Sequence, residues 1–80
     1  MHFLEDTHYI KLTRQGDMQA FGMLVQKHQR LVYTLAHRML KNPEEAQEAA
    51  QDTFVKVYQS LSGFEGKSKF TTWMYRVVYN

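Results

Sequence analysis

Between residues 18 and 41 the apolar side chains recur at helical spacing, and this pattern limits the fold more than any other feature. Phe21, Leu24, Val25, Leu31, Val32, Leu35, Ala36 and Met39 fall on one stripe, with Gln26, Lys27, Arg30, Thr34 and Arg38 on the other side. A helix of this kind must bury its stripe. No segment alternates with period two so as to offer a strand a partner, so helices have to pack on helices. The expected fold is all-α: a compact bundle of three to four helices, forming one domain over residues 1–80.

The punctuation supports this. Gly16 suits the C-terminal end of a short first helix over residues 5–15, whose apolar side is Tyr9, Ile10 and Leu12 with Phe3 and Leu4 ahead of them. Asp17 is then a good N-cap for the long helix. Asn42, Pro43, Glu44 and Glu45 make a compact helix start, with a capping side chain, a proline in the first turn and two acids at the positive end of the dipole. The third helix runs to about residue 61 and turns Ala46, Ala50, Phe54, Val57 and Leu61 inward; its small residues, Ala49 included, allow close approach to a neighbour. The segment FTTWMYRVVY carries strand propensity in its β-branched and aromatic residues, yet lacks a strand to pair with. A helix capped by Ser68 is expected, with Phe70, Trp73, Met74 and Val77 inward and Val78 at the border.

Several function classes fall away. There is no cysteine, which removes disulfides and thiolate metal sites and fits a reducing compartment. No apolar run approaches the roughly 20 residues of a membrane span, and MHFLEDTHYI is not a signal peptide, so a cytoplasmic protein without a membrane partner is expected. His28 sits inside the apolar stripe, where a histidine satisfied by a neighbour is the expected state; His2, His8 and His37 show no metal-ligand spacing to it. No nucleophile–base motif occurs, and GFEGKS lacks the spacing of a Walker loop. Neither catalytic residues, nor a metal, nor a cofactor is expected.

Charge is uneven along the chain. Residues 1–41 carry six Lys/Arg against three acids, 42–61 one against four, and 62–80 three against one. Such an order suits one surface for polyanions and another for a basic protein partner. The loop with Gly63, Phe64, Gly66, Lys67, Ser68 and Lys69 can approach a strand closely and neutralise phosphate, and the following helix shows Tyr75, Arg76 and Tyr79 on one side with Asn80 and Thr72. A stacked base is worth roughly 1–3 kcal/mol, and extruding one costs a few kcal/mol, so one or two captured bases about offset their own extrusion. For Phe64, core packing and a nucleic-acid role are evenly balanced, whereas Trp73 and Phe70 are expected in the core. On the third helix, first-turn solvation accounts for Glu44 and Glu45 but poorly for Asp52, which lies well past the first turn.

With these residues in view, the chain resembles region 2 of the bacterial extracytoplasmic-function (ECF) sigma factors, the specificity subunits of RNA polymerase. The matching pieces are QGDMQAFGMLVQKHQRLVY and EEAQEAAQDTFVKVYQSLSGFEGKSKFTTWMYRVVYN. The resemblance implies that the helix bearing QDTF docks on the clamp helices of core RNA polymerase, through Glu48, Gln51, Asp52, Lys56, Tyr58 and Gln59. It implies that the loop and final helix recognise promoter DNA at the minus-ten element and hold a flipped non-template base. Those roles map to Phe64, Glu65, Gly66, Lys67, Ser68, Lys69, Tyr75, Arg76, Tyr79 and Asn80. It adds an anti-sigma factor as a partner and a longer two-domain parent chain. Glu65 stands where relatives often have a basic residue, and two alanines, Ala49 and Ala50, stand where they have an aliphatic pair. A small helical protein-interaction module with no nucleic-acid role would use the same acidic face, and the two are told apart by titration with a minus-ten oligonucleotide.

Overall fold

Four helices, α1 (His2–Arg14), α2 (Met18–Leu40), α3 (Pro43–Ser60) and α4 (Phe70–Tyr79), with one 3-10 turn at Leu61–Gly63, make up the computed structural model. It describes residues 2–79, and side chains within 6–79. The first helix thus begins before residue 5, and Phe3 and Leu4, expected on its apolar side, have side chains outside the described residues.

The corner between α1 and α2 is made by two residues. Asp17 N–H donates to the Leu12 carbonyl (3.1 Å) and Gly16 N–H to the Thr13 carbonyl (3.0 Å), closing α1 in a Schellman turn. That turn needs a left-handed residue, which Gly16 supplies at φ 98°. The Asp17 carboxylate then accepts from Ala20 N–H (3.1 Å) and starts α2. At the next corner Lys41 takes the left-handed conformation (φ 58°) and donates to the His37 carbonyl, while Asn42 Oδ1 accepts from Glu45 N–H (3.0 Å). Only two residues separate α2 from α3, so α3 folds straight back.

The helix α2 packs most extensively on α3 and then on α1. Ala46 and Ala50 are both buried against it, and Ala49 is half-buried. The core joins Ile10 of α1, Leu24 and Val32 of α2, Ala50, Phe54 and Val57 of α3, Leu61 and Phe64 of the connection, and Phe70 and Met74 of α4. Leu24, Val32, Val57 and Met74 are almost wholly sealed, and burial of each stabilises the fold by roughly 1.5–3 kcal/mol. Met39 departs from the expected stripe: in the last turn of α2, beside the reversal into α3, it is 55 % exposed.

The final segment is a helix, as its unpaired state required, and Phe70, Trp73, Met74 and Val77 do point into the core or its margin. Its start differs from expectation. Trp73 N–H donates to the Lys69 carbonyl (3.1 Å), and the Ser68 hydroxyl donates to that same carbonyl (3.4 Å) rather than accepting from the helix. His28 is buried and satisfied by a neighbour: its Nε2 donates to Asp6 Oδ1 (3.2 Å), and its ring lies 5.5 Å from that of Phe70. Among the described residues no helix is long and apolar enough to cross a membrane.

Candidate nucleic-acid interface

The segment between α3 and α4 is anchored from within. Phe64 is buried, edge-on to Phe70 (5.7 Å between ring centroids) and 5.3 Å from Trp73, and Phe70 stacks on Trp73 at 5.8 Å. Such pairs add about 0.5–1.5 kcal/mol each beyond burial. Of the two roles balanced in the sequence for Phe64, the structure gives its ring the core one. Beyond it the chain turns at Gly66, whose φ of 76° favours glycine, and projects Glu65, Lys67 and Lys69 into solvent. Lys67 Nζ lies 3.4 Å from Glu65 Oε2, with both side chains largely exposed. Such a pair contributes little and leaves the lysine available to an anion.

A cleft of about 800 Å³ opens between this loop, α1 and α2. Its floor is Ile10, Phe64 and Phe70; its polar wall holds Asp6, Lys11, Arg14, Lys27, His28, Glu65, Ser68 and Lys69. Lys27 Nζ and His28 Nε2 both bind Asp6 Oδ1, at 2.9 and 3.2 Å, so that carboxylate is matched by neighbours at the floor. Four cations against two acids, over an apolar floor, form a place for a flat ring carrying a phosphate.

The expected nucleic-acid residues do not all converge there. Phe64, Glu65, Gly66, Ser68 and Lys69 line this cleft, while Arg76 lines another of about 550 Å³, with Lys56, Gln59, Ser60, Gly63 and Trp73. Lys67, Tyr75 and Tyr79 are exposed, and Asn80 lies outside the described residues. Lys56 and Gln59, expected on the polymerase face, thus also border the side where Arg76 emerges.

The outer face of α3 is open. Glu48, Gln51, Asp52, Lys56, Tyr58 and Gln59 are all exposed, and the ring of Tyr58 is steadied edge-on by Phe21 at 5.1 Å. Val55, 54 % exposed, lies between Asp52 and Gln59 on the same face. Sequence reasoning passed over it, although helical spacing from Glu48 and Asp52 marks it. Also unforeseen was Arg14, whose Nη2 donates to the carbonyl of Leu61 (3.0 Å) and to that of Phe64. Its partners are 47 and 50 residues away, and no local pattern links them. Among the described residues no group of His, Cys, Asp or Glu could hold a metal ion.

Residues 24–80 match the family described as Sigma-70 region 2. The chain is 38 % identical over 76 residues to the RNA polymerase sigma-H factor of Pseudomonas aeruginosa, covering 95 % of this chain and 39 % of that protein. It is 38 % identical over 71 residues to the ECF RNA polymerase sigma factor SigW of Bacillus subtilis, covering 89 % and 38 %. It thus spans about two-fifths of the length of these curated relatives. The fold is similar to the NMR structure of an engineered region 2 of sigmaE in complex with GTAAAA, at a TM-score of 0.85 and 32 % identity, covering 94 % of this chain and 78 % of that one. The helices, the loop they hold and these likenesses agree: this chain belongs to the sigma-70 region 2 family, with ECF sigma factors among its relatives.

Proposed function

We propose that this chain is the promoter-recognition domain of an alternative sigma factor, one part of a longer protein. The outer face of α3, centred on Asp52 with Glu48, Gln51, Lys56, Tyr58 and Gln59, docks on the clamp helices of core RNA polymerase. The loop residues Phe64, Glu65, Gly66, Lys67, Ser68 and Lys69, with Tyr75, Arg76, Tyr79 and Asn80, engage the minus-ten element, and a non-template base leaves the stack to be held against the loop. Phe64 acts there by fixing the loop's root. The domain works in the cytoplasm, where its DNA and polymerase are, and an anti-sigma factor covers the same surfaces when it is silent.

The observation that carries this is the lysine-bearing loop over a cation-walled, apolar-floored cleft, in a fold so similar to one solved with GTAAAA. The test is an NMR titration with single-stranded minus-ten oligonucleotide. Shifts gathered in 63–79 are the expected result. Silence there, with shifts on α3 when a basic protein partner is added, would instead favour an interaction module without nucleic-acid binding.

A further inference from the structure

The end of α3 receives main-chain donors from its own stretch, Leu61 N–H to the Tyr58 carbonyl and Phe64 N–H to the Leu61 carbonyl (3.1 Å), but no charge. Its last turn holds no basic residue, so a cation for the negative end of its dipole has to come from elsewhere. Arg14 supplies it. It is the last residue of α1, held in place by the Gly16 turn, and it reaches across to the carbonyl of Leu61, the residue capping α3, and to that of Phe64, where the loop begins. A guanidinium suits this task because its planar donors reach two acceptors at once, and charge-assisted bonds are roughly twice as strong as neutral ones.

Beyond Phe64, which is buried against Phe70 and Trp73, the loop's own side chains do little to hold it. Glu65 and Lys67 pair in open solvent, and among the described residues Ser68 bonds to its neighbour Lys69. Among the described residues, the side-chain hydrogen bonds that reach the 61–69 segment from another element both come from Arg14. Arg14 also forms part of the wall of the cleft between the loop, α1 and α2, beside Phe64, Glu65 and Gly66.

We infer that Arg14 is the positioning residue of the nucleic-acid loop: it fixes the main chain at Leu61 and Phe64, and so sets the shape in which Gly66 and Lys69 meet a base. This rests on the proposed role of the loop in binding DNA. It assigns to α1 a part in base preference that its position in the sequence does not suggest.

The test compares Arg14→Ala and Arg14→Lys with the unaltered chain in two arms. The first is amide hydrogen exchange without DNA. Arg14→Ala is expected to speed exchange within 63–69 while the interiors of α2 and α3 keep their protection, with Arg14→Lys in between. The second arm is titration with minus-ten single-stranded oligonucleotide, and with copies altered at one position at a time, at several salt concentrations. Arg14→Ala is expected to weaken binding about tenfold, as loss of charge-assisted hydrogen bonds implies. Preference at one nucleotide position should flatten while the slope of affinity against salt stays as it was. Two results overturn the inference. One is unchanged loop exchange with unchanged base preference. The other is weaker binding with a shallower salt slope and intact base preference, which marks a phosphate contact instead. If Arg14→Ala fails to fold, Arg14→Lys carries both arms. If the unaltered chain binds no oligonucleotide, the proposed function fails, and the exchange arm alone decides whether Arg14 holds the loop.

Discussion

Asp52 and Phe64 are the residues at which position in the fold separates two roles. Asp52 lies too far along α3 for the helix dipole to explain it, and it is exposed on the outer face. Asp52→Arg should abolish capture of the polymerase clamp helices in a pull-down while leaving the circular dichroism spectrum unchanged; retained capture would remove the docking half of the proposal. Phe64 is fastened by two aromatic neighbours. Phe64→Ala should therefore destabilise the domain by about 3 kcal/mol, read from the urea midpoint. Glu65 is the opposite case, exposed and paired with Lys67 in open solvent. Glu65→Gln should leave the melting temperature unaltered and tighten binding of a minus-ten oligonucleotide, since it removes a negative charge and leaves Lys67 unpaired.

The elements differ in how openly the sequence declares them. The corners were legible because residues acting locally make them: Gly16 turns the end of α1, Asp17 caps α2 and Asn42 caps α3. Asn42→Ala should cost about 1 kcal/mol, seen as a drop of several degrees in melting temperature. The helix α4 was less open, because propensity favoured a strand and only the lack of a partner strand argued otherwise. Packing of Phe70 and Met74 settles it. A peptide of residues 68–80 should accordingly show no helical circular dichroism in water, since ten residues with this composition cannot nucleate a stable helix alone.

In the whole molecule, the two proposed surfaces share one small core. Glu48, Gln51 and Asp52 border none of the clefts that the loop or Arg76 lines, so changes there should leave DNA binding nearly intact, whereas Lys56, Tyr58 and Gln59 border clefts that Arg76 or Phe64 and Glu65 also line and should affect both surfaces. Of the cations in the cleft between the loop, α1 and α2, Lys27 is paired with Asp6 and Arg14 with two main-chain carbonyls, so the proposed DNA strand is met chiefly by Lys67, Lys69 and Arg76. Neutralising about three phosphates gives a salt slope near −2, which is roughly a 20-fold loss of affinity between 50 and 200 mM salt. Weak binding by this domain alone follows from the proposed role, with the proposed polymerase partner supplying the rest. The amino-acid order by itself determined α2 and α3, the Asp17 and Asn42 caps, the inward stripes apart from Met39, and the acidic and lysine-bearing segments, because these depend on neighbours within about four residues, whereas the Ser68 cap did not form. Tertiary structure alone decided that Phe64 is core, that Arg76 and Lys69 open onto different clefts, and that Arg14 closes the end of α3. Each depends on where a helix end arrives in space, which is set by the packing of all four helices together and by no single stretch of them.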